Sequence, residues 1–578
     1  MTARPNIARV LCDRSGPDRA FDYRIPDDLS AKITIGSVVR IDLHGRKIGG
    51  WVKEFDPSDA LPADELLPLR RVSGIGPDES VIELAEWSAQ RWAGRRSQFF
   101  RAASPPRVVR SIGTATYSTL APEPRSPATT RLLAHNGGVL RLPPTSDVLP
   151  SLWSCVERGP VLVVVPGVDD ATILKSRVAR AGVTTALLPH EWARAAAGVD
   201  VVIGTRTAVF ARLPKLGSIM VIDEHDERLQ SEASPTWHAR EVAAERARRN
   251  DIPLILVSAT PTPEALHKRV IEAPSREREI AGWPEIVVAD LSNDDSAPGG
   301  RLSSAVIEEL RNPSRRVLCV VNRKGTSKLL ACRSCRELAT CERCDSVMSQ
   351  PDDDLLSCAK CGSERPLTCL NCHGMSFSNL RPGTARLVKE LAAAAGRPAR
   401  VVDADTEPDW SSGPAVEVLV GTEAVLHRVT HADTVVVLDI DSEVLAPRFR
   451  AGEQTLSLLT RAARLVGRKA DGGQLVVQTR QIDHPLLAAM SEVAPGDATE
   501  IERAQREQLA LPPYGAIAVV EGAGAAEFVQ SLPDSVRVGG TGDRRQVRAS
   551  DSEVLGRALA LGQRPAKGRL RVAVNPGR

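Results

Sequence analysis

Four CxxC pairs near the middle of the chain constrain its possible folds more than any other feature of the sequence. Eight of the eleven cysteines form these pairs, which are Cys332/Cys335, Cys341/Cys344, Cys358/Cys361 and Cys369/Cys372. A CxxC turn brings two thiolates close enough to share one ion, and two such turns complete a tetrahedral site of four sulfurs. The pattern therefore predicts two closed Zn²⁺ sites, which stabilise a scaffold and leave no coordination position for a substrate.

Other uses of paired cysteines compete with zinc. Disulfides need an oxidising compartment, and the N-terminal residues contain no apolar signal stretch that directs the chain to one. A redox function is typical of one CxxC pair rather than of four consecutive pairs. An iron–sulfur centre and redox chemistry stay open as alternatives to two zinc ions.

Length, composition and charge limit the class of protein. The chain has 578 residues, enough for three or four domains, and its hydrophobic content of 42% is ordinary for a soluble protein. No run approaches the ~18 apolar residues of a membrane helix, so we expect a cytoplasmic protein with no membrane association. The net charge of +3 identifies no partner, but eight arginines and one acid lie between Arg91 and Arg131, with aromatic residues among them. This composition suits nucleic-acid binding, and a solvated surface is the alternative.

The apolar pattern divides the chain into segments. Alternating residues at the start predict β-strands, and later apolar runs separated by helical stretches predict two lobes with parallel sheets. The cysteine pairs interrupt the second lobe. The predicted segments are 1–103 (β domain), 104–150 (a linker or a poorly formed module rich in Pro, Ser, Thr and Gly), 151–290 (first lobe), 291–331 with 373–495 (second lobe), 332–372 (cysteine module) and 496–578 (α+β domain).

Polar turns follow the apolar runs at positions where parallel sheets bind ligands. They are Asp223-Glu224-His225-Asp226 after residues 219–222, Ser258-Ala259-Thr260 after 254–257, and Gly421-Thr422-Glu423 after 416–420. In an NTPase the acidic turn holds magnesium and orients water. The helix predicted over 453–467 carries Arg464 near its end, with Arg468 just beyond, where an arginine could reach across a cleft. Each of these turns alone is common in proteins where it has only a structural role. Their order along the chain is the feature that indicates a function.

That order resembles a superfamily-two helicase, and the inserted cysteine pairs make the chain similar to the PriA family of replication restart proteins. Phe21-Asp22-Tyr23, Trp237-His238-Ala239-Arg240-Glu241 and Asn322-Arg323-Lys324-Gly325 also resemble signatures of that family. The resemblance runs from about residue 7 to the C-terminus. It implies an α/β fold with a small N-terminal β domain, two tandem RecA-like lobes, a two-zinc module in the second lobe and a C-terminal α+β domain.

The resemblance also implies site residues. In this family the outer CxxC pairs share one zinc and the inner pairs share the other, which assigns the sets Cys332, Cys335, Cys369, Cys372 and Cys341, Cys344, Cys358, Cys361. The first domain of the family forms a pocket for the 3′-terminal nucleotide, and the matching positions are Phe21, Asp22, Tyr23, Gly45 and Arg70 (or Arg71). The alternative is that Phe21 and Tyr23 are ordinary strand residues facing a β core.

The chain departs from the family at its nucleotide site. The expected P-loop falls on residues 139–150, which contain no glycine and no lysine, and no Gly-Lys pair occurs anywhere in the chain. The family's DEEH turn is shortened to Asp223-Glu224-His225. The first arginine of its GRxGR signature falls on Leu465, while Arg468 retains the second. Asp223, Glu224 and Arg468 are therefore degenerate helicase positions, as in the actinobacterial branch, and we expect no ATP hydrolysis.

A fork-binding protein without motor activity is the resulting hypothesis. The resemblance implies forked and single-stranded DNA as ligands, reloading of the replicative helicase, and as partners primosome proteins, that helicase and the single-stranded DNA-binding protein. We expect a nucleoid-associated protein with two Zn²⁺, whose residues 104–150 are too short for an intact winged helix. An ATP-dependent 3′→5′ helicase with a divergent site and a zinc-stabilised scaffold without DNA binding are the alternatives. Whether ATP binds without hydrolysis stays open.

Overall fold

The computed structural model describes most of the chain. The described residues are 5–14, 18–118, 122–292, 302–321, 330–335, 337–352, 354–379, 384–402, 418–565 and 570–577. The motif at residues 322–325 and the start of one predicted strand, residues 416–417, lie outside them.

The N-terminal domain is an antiparallel sheet followed by two longer helices. Its elements are β1 (Ile7–Cys12), β2 (Ala20–Arg24), α1 (Asp27–Ser30), β3 (Val38–Leu43), β4 (Arg46–Phe55), β5 (Arg71–Gly74), α2 (Glu79–Arg91) and α3 (Arg96–Ala103). The strand order is β2-β1-β4-β3-β5. Alternate strand residues face a buried cluster that includes Val10, Tyr23 and Ile41, which is the pattern of a sheet with one covered face.

Aromatic residues attach this domain to the first lobe. Phe99 on α3 lies with its ring centroid 5.9 Å from that of Phe210 and 6.2 Å from that of Trp237. Trp92, Phe99 and Phe100 are all buried. The hypothesis that the aromatic residues among the arginines after Arg91 stack on bases is therefore corrected for these three, because their rings are buried in the protein: Phe99 packs against the first lobe, whereas Phe100 and Trp92 pack against Trp51 and Trp87 of their own domain.

The first lobe is a seven-stranded, wholly parallel sheet covered by helices. Its elements are α4 (Pro127–Ala134), β6 (Gly137–Arg141), α5 (Leu149–Arg158), β7 (Val161–Val164), α6 (Val168–Arg180), β8 (Thr185–Leu187), α7 (Trp192–Ala197), β9 (Val201–Gly204), β10 (Ser218–Ile222), α8 (Ala239–Asn250), β11 (Leu254–Ser258), α9 (Pro263–Leu266), β12 (Ile271–Glu272) and α10 (Arg276–Ala281). The strand order is β12-β6-β11-β10-β7-β9-β8. This order brings the ends of β6, β10 and β11 to one edge.

The second lobe is a six-stranded parallel sheet interrupted by the cysteine module. It begins with β13 (Glu285–Asp290), α11 (Ser304–Arg311) and β14 (Val317–Val320). The module contributes β15 (Leu330–Cys332), β16 (Ser349–Asp352), β17 (Leu355–Ser357), β18 (Glu364–Pro366) and β19 (Phe377–Asn379). The lobe resumes with α12 (Thr384–Ala395), β20 (Ala399–Val401), β21 (Val418–Gly421), β22 (Thr434–Val437), α13 (Asp441–Val444), α14 (Ala451–Val466), β23 (Gln474–Thr479) and α15 (Pro485–Ser491). The strand order is β13-β23-β22-β14-β21-β20.

The C-terminal domain is a four-stranded antiparallel sheet with helices on one side. Its elements are α16 (Pro495–Gln508), β24 (Ala516–Glu521), α17 (Ala525–Gln530), β25 (Arg537–Gly539), β26 (Arg544–Ala549), α18 (Ser552–Leu561) and β27 (Arg571–Val574). The strand order is β25-β26-β24-β27. Thr236 of the first lobe donates through Oγ1 to the carbonyl of Val574 at 2.8 Å, so β27 is attached to that lobe.

Two predicted boundaries are corrected by strand pairing. Residues 127–150 were predicted to be linker, but β6 pairs with β11 and belongs to the first lobe. Residues 285–290 were predicted in the first lobe, but β13 pairs with β23 and forms an edge of the second sheet. In both cases the domain to which the strand belongs is determined by a partner strand distant in sequence. The local residue pattern does not identify that partner.

The segment before α4 has no winged helix among its described residues. Residues 104–118 and 122–126 contain no helix or strand. Part of the segment lies against the first lobe, because the Thr116 amide donates to the carbonyl of Gly198 at 2.9 Å. Across the described ranges, none of the helices has both the length and the apolar character that crossing a membrane requires.

Candidate metal centres and the interlobe cleft

The eight paired cysteines form two groups of four. One group is Cys332, Cys335, Cys369 and Cys372, and the other is Cys341, Cys344, Cys358 and Cys361; within each, the sulfurs lie within 4.8 Å of one another. The nearest pairs, such as Cys344 and Cys358, are 3.5 Å apart. A tetrahedral Zn²⁺ with bonds of about 2.3 Å places its sulfurs ~3.8 Å apart, so both groups fit a metal ion. These are the same sets that the family resemblance implies.

A repeated turn positions the thiolates. The amide of the residue after the second cysteine donates to the carbonyl of the first, from Asp345 to Cys341 at 2.8 Å and from Gly362 to Cys358 at 2.9 Å. Asp345, Gly362 and His373 all have positive φ, which closes the turn around the ligands. Hydrogen bonds favour the thiolate at one cysteine of each group: an amide of Cys335 lowers the pKa of Cys332, and the Cys358 thiol lowers that of Cys344, while the same contact raises the pKa of Cys358.

Among its described residues, the module contacts the rest of the protein beside α13 and at α16. Val347 packs in a buried cluster with Val444 and Leu445 beside α13, and its amide donates to the carbonyl of Leu445 at 2.6 Å. In the Cys358–Cys361 turn, Lys360 donates through Nζ to Gln505 Oε1 of α16 at 2.9 Å. The inner cysteine group therefore supports both the second lobe and the C-terminal domain.

The acidic turn after β10 lies in the cleft between the lobes, and its first carboxylate is paired with an arginine. Arg464 of α14 donates to Asp223 through Nη1 at 2.5 Å and through Nη2 at 2.6 Å. Its Nε donates to the carbonyl of Pro144 at 3.0 Å. Burial raises the pKa of Asp223, but the guanidinium outweighs burial and holds it below its usual value. Asp223 also has a φ of 52°, so its backbone is in the left-handed region.

The second acid of the turn is held inside the first lobe. Glu224 is fully buried and pairs with Arg240 of α8 at 2.7 Å. It also accepts hydrogen bonds from the amide and hydroxyl of Thr262 at 2.8 and 2.9 Å. Because these donors occupy both carboxylate oxygens, Glu224 is oriented toward α8 and α9 rather than toward a water molecule.

The remaining members of the turn connect it to the neighbouring motif and to the second lobe. His225 Nδ1 lies 2.7 Å from Ser258 Oγ of the Ser258-Ala259-Thr260 turn, and burial lowers the pKa of this histidine. Asp226 pairs with Arg228 at 2.8 Å and with Arg461 of α14 at 3.4 Å. The acidic turn therefore reaches the second lobe through two arginines of one helix.

The loop on which the sequence comparison with the family expects a P-loop lies between β6 and α5. It contains Pro143 and Pro144, which have no amide hydrogen to donate to a phosphate. Thr145 donates through Oγ1 to the carbonyl of Gly282 at 2.9 Å, and the Leu149 amide donates to Asp147 Oδ1 at 2.9 Å. The polar groups that begin α5 are thus directed to protein partners.

Arg468, the predicted remnant of the arginine signature, lies beyond the end of α14. It pairs with Asp471 at 2.7 Å on an exposed surface. Arg464, the other arginine that the sequence places where it could reach across a cleft, makes the cleft contact. Thr460 and Arg464 are four residues apart on one helical face, and Thr460 Oγ1 lies 3.1 Å from Thr260 Oγ1 of the first lobe. Thr460 and Arg461 are the contacts of this helix that the sequence did not single out.

The predicted DNA-contacting residues are divided between two faces of the N-terminal sheet. Tyr23 is buried, and its hydroxyl donates to the carbonyl of Asp42 at 2.8 Å. Phe21 is half-buried against the same cluster. Asp22 lies on the other face and pairs with Arg9 at 2.8 Å. Stacking of Tyr23 on a base is therefore corrected, because the ring belongs to the core, and the ordinary strand interpretation describes it.

Gly45 and Arg70 lie close to Asp42. Gly45 has a φ of +73° in the turn between β3 and β4, and no atom lies within 4 Å of the position of a Cβ. Arg70 donates through Nε to Asp42 Oδ2 at 2.5 Å and is about half exposed. An open turn with an adjacent cation can admit a phosphate or sugar.

Comparison with known proteins adds independent observations. Residues 9–105 match the family described as the 3'DNA-binding domain (3'BD) of PriA. The probable replication restart protein PriA of Mycobacterium leprae is 30% identical over 92% of this chain and 90% of its own length. The corresponding protein of Mycobacterium tuberculosis is 30% identical over 90% of this chain and 87% of its own length.

Other matches are shorter or more distant. The replication restart protein PriA of Bacillus subtilis is 28% identical over 59% of this chain, and the chain spans 46% of the length of that relative. Among solved structures, RecG bound to a three-way DNA junction matches with a TM-score of 0.35 and 14% identity, over 74% of this chain and 52% of that chain. The last likeness is too distant to carry an argument.

Proposed function

The chain belongs to the PriA family of replication restart proteins, and from this premise we propose that it binds branched DNA at stalled forks and promotes reloading of the replicative helicase without hydrolysing ATP. Primosome proteins and the single-stranded DNA-binding protein are the partners that this function requires. Two Zn²⁺ ions, one in each cysteine group, would stabilise the module and supply no catalytic step.

The observation that carries the proposal is the pairing of Asp223 with Arg464. In NTPases of this architecture the corresponding carboxylate holds Mg²⁺, which bridges the β- and γ-phosphates. Here two guanidinium N–H groups occupy both oxygens of the carboxylate. A divalent cation at Asp223 would have to displace Arg464. The nearby loop cannot compensate by binding phosphate, because Pro143 and Pro144 have no amide hydrogen to donate.

The DNA contacts of the proposal come from the N-terminal domain. We assign them to Phe21, Asp22, Gly45 and Arg70. The half-exposed guanidinium of Arg70 can neutralise a phosphate. The Asp22 carboxylate already accepts from Arg9 at 2.8 and 2.9 Å, and its remaining lone pairs can accept from a sugar hydroxyl or a base edge without displacing that arginine. The family match over residues 9–105 supports this assignment.

Equilibrium binding to a synthetic fork and to a linear duplex of equal length tests the proposal. We expect tighter binding to the fork, with a negative salt slope because phosphate contacts release counterions. A non-hydrolysable ATP analogue should leave both affinities unchanged. Equal affinities with no salt dependence would support the scaffold without DNA binding, whereas fork affinity that changes with the analogue would support a nucleotide-driven helicase.

A further inference from the structure

One helix, α16, contacts both lobes and the cysteine module. It packs against α9 of the first lobe and against α14 and α15 of the second. Its Arg506 side chain has no exposed surface. The Arg506 guanidinium is buried where α16 meets the two lobes. The proposed DNA contacts and the acidic turn do not involve this side chain.

Arg506 makes one ion pair to each part that meets there. Its Nη1 lies 2.8 Å from Glu264 of the first lobe, and its Nη2 lies 2.5 Å from Glu453 of the second. Its Nε lies 2.8 Å from Glu502 on α16 itself. All three guanidinium nitrogens are therefore engaged by carboxylates from different elements.

Arg450 of the second lobe completes the cluster. It pairs with Glu264 and Glu453, both at 2.7 Å. The guanidinium carbons of Arg450 and Arg506 lie 5.0 and 5.3 Å from the centroid of the Phe449 ring. Burial raises the pKa of Glu264, but Arg450 and Arg506 reverse this and lower it to about 2, so the carboxylate is ionised at neutral pH.

This cluster favours one relative position of the lobes. A buried ion pair adds little net stability, because desolvation offsets its attraction, but it can specify geometry. In this placement of α9 against α14 and α16, Glu264 reaches both arginines at once, at 2.7 and 2.8 Å. The inner cysteine group contacts the same helix. Lys360, which lies between Cys358 and Cys361, donates a hydrogen bond to Gln505, the residue before Arg506.

We propose that Glu264, Arg450, Glu453 and Arg506 form an interlobe clamp, which holds the two lobes at a constant separation. Helix α16 contributes Arg506 to this clamp. The inner cysteine group supports the clamp through its contact with α16. A nucleotide-driven motor must open and close its cleft; here ion pairs within the protein hold it. The two lobes and the N-terminal domain then present one rigid surface. The inference concerns the protein without DNA or nucleotide, so it can fail or succeed independently of the proposed function.

Amide hydrogen exchange on the full chain tests the clamp with Glu264→Gln. This change removes the negative charge that the first lobe contributes, while Arg450 and Arg506 stay balanced by Glu453 and Glu502, and the nearby Arg240 of the first lobe by Glu224. We expect exchange in residues 258–266 and 450–464 to become at least about tenfold faster, because charge-assisted bonds across the cleft are lost. Unchanged exchange on both sides of the cleft would overturn the clamp.

Two further variants complete the design. Glu500→Gln is the matched control, since Glu500 lies on α16 but pairs on the surface with Arg503 at 2.5 Å. Amide exchange in this variant should equal that of the unmodified protein.

Lys360→Met tests the contact between the inner cysteine group and α16. It should accelerate amide exchange in α16 while two zinc ions per chain are retained. Unchanged exchange in α16 would overturn the support from the cysteine group. If Glu264→Gln does not fold, Arg450→Lys, which retains the charge but loses the second donor, gives the same readout.

Discussion

Arg464 and Asp223 form a two-bond ion pair across the interlobe cleft. The arginine comes from α14 of the second lobe, and the aspartate comes from the turn after β10 of the first, with bonds of 2.5 and 2.6 Å. The pair lies where an active NTPase coordinates magnesium. In this chain the first acid of the turn therefore makes a contact that joins the two lobes, and we propose that this contact takes the place of a magnesium site.

Replacing Arg464 should destabilise the protein without restoring catalysis. In Arg464→Gln, Asp223 stays largely buried and loses its partner, but the Arg464 side chain is itself about half exposed, so we expect the free energy of unfolding to fall by about 1 kcal/mol. Adding Asp223→Asn should recover part of that loss, because the uncompensated charge is removed. Denaturant unfolding of both variants measures the effect.

Arg468→Gln is the control for that series. Its guanidinium pairs with Asp471 where both side chains are more than half exposed, so we expect a change within about 0.5 kcal/mol. An equal loss of stability in the Arg464 and Arg468 variants would contradict the assignment of Arg464 to the cleft.

Metal content should follow the two cysteine groups. We expect two zinc ions per chain by elemental analysis, and one in Cys344→Ser or in Cys372→Ser. The inner group lies beside α13 and α16, so Cys344→Ser should also accelerate amide exchange in those helices, whereas Cys372→Ser should affect them less. Iron in place of zinc, or visible absorption typical of an iron–sulfur cluster, would contradict the zinc assignment.

Acid should weaken the interlobe clamp in a defined range of pH. The folded pKa of Glu264 is about 2, below its ordinary value of 4.5. Its contribution to stability is therefore complete above about pH 4.5 and is lost as the pH falls toward 2, because the unfolded chain binds the proton first. In Glu264→Gln the acid limb of the stability curve should be shallower between those values, and an unchanged limb would contradict the role of Glu264.

The N-terminal domain offers a matched pair of conservative substitutions. Asp22→Asn removes a carboxylate that we assign to DNA, and we expect roughly three- to tenfold weaker fork binding, the effect of about one hydrogen bond. Tyr23→Phe removes a hydrogen bond inside the core, so it should lower domain stability by about 1 kcal/mol and leave fork affinity unchanged. Fluorescence anisotropy measures both affinities, and a reversed ranking would contradict the assignment.

The sequence predicts most strands of both lobes, because short Val- and Ile-rich runs are a strong local signal. It does not predict β6, since this strand begins with Gly137 and Gly138 and lacks that signal. A Cβ at Gly137 would lie 2.3 Å from the carbonyl of Leu254, so the close approach of two strands requires glycine there. The structural reason for the glycine is visible only once the partner strand is known.

The candidate site shows the same division between local and long-range information. The cysteine groups follow from CxxC spacing and a family resemblance, and the acidic turn follows from its place after an apolar run. The partners of that turn do not, because Arg240, Arg461 and Arg464 reach its carboxylates from helices α8 and α14. Their charges resemble those of any solvated helix face until the packing is known.

DNA-stimulated ATP hydrolysis by the purified full-length chain tests the central claim most directly. With forked DNA and Mg²⁺ present, we predict that phosphate release stays at the level of a protein-free control, and that Asp223→Ala does not change it. Hydrolysis that rises with forked DNA and disappears in Asp223→Ala would show a working nucleotide site and contradict the account.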